Sequence, residues 1–189
     1  MNKNHQDLSA TDHTPSISLA TIHSDLLATK DLVYSPCSFE CSQLLVEAQN
    51  AEYGAYVYQI NALAVRFRSA KITPTKVGQF VTLWERSEAG PIQPYDLSNS
   101  VDLFVISVRK DDNFGQFVFP KAVLCDHDIV SINGQGGKRA FRVYPPWDKP
   151  TSRQAQKTQN WQLDYFLEVP ENGPINRERI QMLYGLQHL

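Results

Sequence analysis

Apolar and polar positions follow two different periods along this chain, and the switches between them set the expected order of elements. From Leu63 to Arg68, Leu63, Val65 and Phe67 alternate with Ala64, Arg66 and Arg68, the period of a strand. Gln79 to Trp84 repeats the pattern, with Phe80 and Thr82 opposed to Val81 and Leu83. Pro74 excludes a helix through KITPTK between them. Val101 to Val108 is apolar and β-branched, Lys110 to Gly115 is a turn, and Gln116 to Phe119 returns as a strand that Pro120 ends. Further strands are expected over Asp128 to Ile132 and Arg139 to Tyr144, on either side of Gly134, Gly136 and Gly137. The helical period governs the flanks. Helices are expected near Ile22 to Leu32, from Phe39 to about Tyr53, from Thr151 to Phe166 and from Asn176 to Leu186. In the second of these Leu44, Leu45 and Ala48 form the apolar stripe, Glu40, Gln43 and Glu47 face water, and Gly54 ends the helix. Thr151 or Ser152 caps the third. Strands flanked by helices at both ends make an α/β or α+β domain.

Composition narrows the class. A chain of 189 residues, 42% hydrophobic and 20% charged, is long enough for one buried core and short for two. No apolar run reaches the roughly 18 residues of a membrane span, so no membrane partner is expected. The stretch MNKNHQDLSATDHTPSIS lacks the charged start and apolar core of a secretion signal, which favours a cytoplasmic protein. It is also polar and turn-rich, so residues 1 to 20 are expected to be disordered or loosely attached, ahead of a single domain over 21–189. Three cysteines, Cys37, Cys41 and Cys125, fit a reducing compartment. Cys37 and Cys41 have the spacing of one helix face. No second pair and no suitably spaced histidine accompanies them, so buried thiols are expected there, and no metal.

Charge changes the picture. The formal net charge is only -2, yet RFRSAKITPTKVGQFVTLWER sets Arg66, Arg68, Lys71, Lys76 and Arg86 against the single acid Glu85. From Gln135 to Lys157 a second basic segment, with Lys138, Arg139, Arg142, Lys149, Arg153 and Lys157, faces only Asp148. Cations this dense repel one another unless an anion answers them. Thr73 and Thr75 add hydroxyls, Pro74 a stiff bend and Gly78 a tight turn, the parts of an oxyanion or phosphate site. Association responds to local potential rather than net charge, so two such segments on one surface make a positive groove on a near-neutral protein.

Four segments in order, RFRSAKITPTKVGQFVTLWER, GQFVFPKAVL, GGKRAFRVYPPW and QAQKTQNWQLDYF, resemble the MepB family over roughly Glu47 to Leu167. That family is named for a protein encoded beside a bacterial multidrug efflux pump and its regulator. The resemblance implies a mixed β-sheet flanked by helices, related to the PD-(D/E)XK restriction-endonuclease-like core. It also implies nucleic-acid binding as the leading function. An endonuclease of this kind holds a divalent metal such as Mg²⁺ between an Asp on one strand and an Asp or Glu on the next, with a Lys two residues beyond. Asp102 and Lys121 match that layout, but Phe119 stands where the second acid belongs, and phenylalanine cannot ligate a metal. Glu52 and Asp96 are the carboxylates that can stand in. The expected state is an altered catalytic site and no cofactor, with metal-dependent cleavage through Asp102, Lys121 and Glu52 as the alternative.

Binding needs less than cleavage, because cations with amide or hydroxyl donors suffice for a phosphate. Lys71, Thr73, Thr75 and Lys76 supply them, and Gly78 lets a backbone come close. Arg66 and Arg68, two apart on a strand, form a ladder of charge on one face. Lys138, Arg139 and Arg142 are expected to line the opposite wall. Trp84, Tyr144, Trp147 and Trp161 interleave with these cations, Trp147 being the candidate platform, and a base stacked on an exposed ring gains roughly 1–3 kcal/mol. The plainer expectations are that at least two of the three tryptophans are mostly buried, and that the cations pair with Glu52, Glu85, Asp102 or Asp148. A small-molecule ligand linked to efflux suits an aromatic pocket but leaves the two basic segments unexplained. Cys125, Asp126 and His127 lack an elbow motif for a nucleophile, and His127 reads as a loop histidine. GQGG from Gly134 to Gly137 matches no nucleotide-loop pattern.

Overall fold

The computed structural model describes residues 22–86 and 90–185. Its first part carries α1 (Ser24–Thr29), β1 (Leu45–Val46), β2 (Tyr56–Ile60), β3 (Leu63–Ser69), β4 (Lys71–Thr73), β5 (Lys76–Thr82) and β6 (Glu85–Arg86). There follow β7 (Ile92–Gln93), β8 (Leu103–Lys110), β9 (Asn113–Pro120) and α2 (Lys121–Asp126), then β10 (Ala140–Val143), α3 (Arg153–Leu163), β11 (Phe166–Glu168) and α4 (Arg177–Leu183). Six strands in the order β1, β2, β3, β8, β9, β11 form the main sheet. It is mixed, because β3 and β8 run parallel while its other pairs are antiparallel. A second sheet has the order β10, β5, β4. The class is α+β, a mixed sheet flanked by helices.

Strand β8, LFVISVRK, is apolar without clean alternation because both faces of the main sheet are covered. Leu103 and Val105 enter a core shared with Leu26 of α1 and with Ile180 and Leu183 of α4. Phe104, Ile106 and Val108 enter a second core with Val81 of β5, Val143 of β10, Leu124 of α2 and Trp161 of α3. Burying one such side chain stabilises by about 1.5–3 kcal/mol, so two filled faces hold the layers firmly.

The helix expected from Phe39 to Tyr53 does not form. Ser38 is left-handed at φ 56, Cys41 bridges to Ile60, and Leu45 and Val46 pair with Val57 and Tyr56. Of the expected apolar stripe, Leu45 sits in an edge strand, where sheet pairing outweighs helix propensity, and only a short 3-10 segment, Ala48–Tyr53, remains before Gly54. Cys37 and Cys41 therefore share no helix face. The β8–β9 hairpin turns more tightly than expected, at Asp111 and Asp112 with Asp111 at φ 52, so Gly115 lies within β9. Lys121 opens α2 where no helix was expected. Asp128 to Ile132 makes only isolated bridges, through Ser131 and Ile132. The helix expected to reach Phe166 stops at Leu163, and Phe166 joins β11 opposite Phe117. Asn176 caps α4 through its side chain. The expectation for residues 1 to 20 lies outside the described residues. Among the described residues no helix is long and apolar enough to cross a membrane.

A buried phenol cluster makes the first core sensitive to pH. Tyr34 and Tyr58 hydroxyls stand 2.8 Å apart, Tyr184 donates to Tyr34 at 3.3 Å, and Gln116 Nε2 donates to Tyr184 at 2.8 Å. Burial first, then the neighbouring phenols, push all three well above the usual tyrosine range. In the unfolded chain each ionises near pH 10, so their stabilisation is complete below about pH 10 and is lost as pH rises beyond it. In an alkaline titration, at least three tyrosines are expected to ionise only as circular dichroism reports unfolding. Complete tyrosinate formation in the still-folded protein would contradict this.

Candidate functional site

The two basic segments are neighbours in the small sheet. Phe80 on β5 is paired with Lys71 on β4 and with Arg142 on β10, so the three side chains form one row across one face. Lys71 Nζ lies 4.2 Å from the Tyr53 ring centroid, Tyr53 tilts against Phe80 at 6.5 Å, and Arg142 Cζ lies 5.8 Å from the Phe80 centroid. Arg142 is held in place by donating to the Gly78 carbonyl at 2.9 Å and to Thr73 Oγ1 at 2.7 Å. Lys71 pairs with Glu52 at 3.2 Å, a solvent-exposed pair of little energetic weight. Thr75 and Lys76 are exposed at the adjoining turn. Gly78, expected to admit a ligand's close approach, serves another purpose. It has φ +84, and a Cβ there would meet Tyr144 Cε1 at 2.6 Å, so the glycine makes room for a tyrosine ring.

Helix α3 packs on the free edge of β10. Gln162, fully buried, accepts from the Tyr144 N–H at 2.8 Å and donates to the Arg142 carbonyl at 2.9 Å. Its amide thus replaces a missing strand neighbour. Gln159 donates to the carbonyls of Pro145 and Asp148 one turn earlier. Between helix and sheet lies a cavity of about 350 Å³, whose walls include Lys138, Arg142, Tyr144, Ser152, His127 and Trp161 and no acidic residue. His127 is more than a loop histidine. It ends α2, and its ring stacks on Trp161 at 3.7 Å with 9° between planes. Among the described residues no carboxylate pairs with Lys76, Lys138, Arg139 or Arg142.

Arg66 and Arg68 share a face of β3, as alternation requires, but that face is covered. Arg68 is 0% exposed; it donates to the Phe67 carbonyl at 2.9 Å and to the Tyr95 hydroxyl at 3.3 Å, and pairs with Glu47. Arg66 Nε lies 3.3 Å from the same carboxylate, and Tyr95 donates to it at 3.4 Å. Glu47, expected in water, is therefore an internal counter-ion, and the charge ladder is answered within the protein rather than by a phosphate. Burial raises the Tyr95 phenol above its usual range. Trp147 is partly buried, with its ring against Phe166 at 5.6 Å and 78°. Trp84 and Trp161 are also partly buried.

Of the residues of the cleavage alternative, Asp102 and Lys121 are neighbours, the Lys121 N–H donating to the Asp102 carbonyl at 3.0 Å, but their side chains turn to other partners and Glu52 does not join them. The Asp102 carboxylate accepts from the Ala64 N–H at 2.8 Å, and Lys121 Nζ donates to the Asn99 carbonyl. Glu52 sits with Lys71, beyond the opposite end of β3; Ala64 and Ser69 alone are roughly 17 Å apart along that strand. Phe119 is fully buried and stacks on Phe117 at 5.4 Å. Asp96 is engaged as well: the Gly134 N–H, then Ser98 and Ser131, hold its carboxyl well below the usual range. Gly137 N–H donates to Asp128 at 3.0 Å, so the GQGG loop gives two of its amides to carboxylates of the chain. Among the described residues no three His, Cys, Asp or Glu side chains are arranged to hold a metal.

No curated protein matches the chain. The sequence profile of the MepB-like family matches residues 47–168, from the counter-ion Glu47 through both basic segments and α3 to the end of β11. A crystal structure of MepB is similar in fold and sequence, with 35% identity and a TM-score of 0.67, covering 76% of this chain and 98% of that one. With the profile spanning more than half of its residues, the chain belongs to the MepB-like family.

Proposed function

We propose that this protein binds nucleic acid through the outer face of its small sheet. Its core, on this reading, is of the PD-(D/E)XK endonuclease type with altered catalytic residues. The observation that carries the reading is the row of Lys71, Phe80 and Arg142, which sets cations from both basic segments side by side on one sheet. Arg142, Lys76 and Lys138 have no carboxylate partner among the described residues, so an external anion is their natural counter-charge. Tyr53, Phe80 and Tyr144 add aromatic surface between them, the mixture of cation and ring that suits a single strand.

Fluorescence anisotropy with single- and double-stranded DNA and RNA, repeated over a salt series, tests this. Binding is expected at about 50 mM salt, with affinity falling steeply as salt rises. Lys71→Ala and Lys76→Ala are each expected to weaken binding alike across sequences and to reduce the salt slope by about 1. No binding at low salt, or affinity indifferent to salt, would rule the interface out.

A further inference from the structure

The cavity beneath α3 adjoins this face yet differs from it in shape and chemistry. We infer that it is a pocket for one phosphorylated nucleoside, either a free nucleotide or the phosphate-bearing end of a strand. Three observations converge on that ligand class. Lys138 and Arg142 line the cavity without a carboxylate partner among the described residues, and no acidic side chain stands in its wall. An anion site gains from that imbalance, since an internal acid would compete for the same cations. His127 and Trp161, both in the wall, are stacked into one flat aromatic unit, and Tyr144 borders it. Such a surface favours a planar heteroaromatic ring over an aliphatic ligand. The volume, about 350 Å³, lies at the small end of ligand pockets, so it holds one nucleotide and excludes a duplex.

Hydroxyl chemistry agrees. Ser152 Oγ accepts from the Ala155 N–H at 3.2 Å, which leaves its own proton free to donate to an oxyanion. Gln162 uses both ends of its amide, on Arg142 of β10 and on Tyr144 just beyond it, so the wall at that point is fixed rather than adaptable. The pocket shares Arg142 with the sheet face, and to that extent it rests on the nucleic-acid reading. A strand crossing the row of Lys71, Phe80 and Arg142 would deliver its end to Lys138.

Calorimetry with AMP, adenosine and inorganic phosphate tests the free-nucleotide source. AMP is expected to bind at about 1 mM or below, with adenosine and phosphate each at least about tenfold weaker. Lys138→Gln, at an exposed position, should weaken AMP about tenfold, and Ala155→Phe should abolish its binding by filling the cavity. The strand-end source is tested by anisotropy with one oligonucleotide carrying either a terminal phosphate or a hydroxyl. A preference of about tenfold for the phosphate, erased by Ala155→Phe, would support it. If AMP gives no heat and the two oligonucleotides bind equally, the pocket inference is overturned. Oligonucleotide binding that still depends on Lys71 would then leave the interface reading standing. AMP binding untouched by both substitutions overturns it too, because the ligand would sit elsewhere. AMP binding in a protein that ignores oligonucleotides would instead remove the interface reading and keep the pocket.

Discussion

Glu47→Ala is expected to destabilise the protein by about 3–5 kcal/mol, far more than a surface acid should. Its carboxylate answers both Arg66 and Arg68 and accepts from Tyr95, while the Arg68 side chain is 0% exposed. Removing the acid leaves a buried guanidinium with no counter-charge. A double variant, Glu47→Ala with Arg68→Met, removes both charges and should recover much of the loss, because an apolar side chain suits that core. Urea denaturation of the two variants measures both quantities. A single variant within about 1 kcal/mol of wild type, on the order of an exposed pair, would mean that water reaches Arg68.

The second large effect falls on Phe119. Phe119→Ala is expected to cost about 3–5 kcal/mol, the range for a fully buried phenylalanine. The ring stacks on Phe117 at 5.4 Å and touches Trp161, Tyr165 and Phe141 at centroid distances of 5.5, 5.9 and 6.4 Å. It therefore supports the same tryptophan that His127 stacks on, and loss of the ring should loosen that stack. Phe119→Asp sharpens the test, since it restores the acid of the endonuclease pattern. Without a partner for a carboxylate at this depth, the variant should unfold rather than gain a metal site. A Phe119→Asp protein that melts like wild type and binds Mg²⁺ would overturn this account of the core.

Phe119 also shows what could be read from sequence. Its mismatch with the catalytic pattern is visible in the string FVFPK, and the structure supplies the reason, an aromatic core at that site. The strands β3 and β5 on either side of Pro74, the hairpin around Asp111, α3 behind its Ser152 cap, and the two basic segments were legible because local pattern and final structure agree there, whereas β4 and the sheet that each strand joins were not. The stretch from Phe39 to Tyr53 was not, because LLVEA has helical spacing while its backbone is claimed by β2. His127 was misjudged for a related reason. Nothing local marks a histidine after a two-turn helix as the partner of a tryptophan 34 residues later.

Arg66 and Arg68 make the division plain. Sequence alone determined that they lie on one face of a strand, since the period of two is a property of the backbone. It also determined the family motifs and the uneven distribution of charge. Only the tertiary structure decided which cations meet solvent. Burial depends on what covers a face, and the cover over β3 comes from residues distant in sequence, among them Glu47 and Tyr95. The same physics carried Arg142 beside Lys71. Their row exists because β10 and β4 both pair with β5, and strand pairing over some seventy residues is settled by the packing of whole layers rather than by any local pattern.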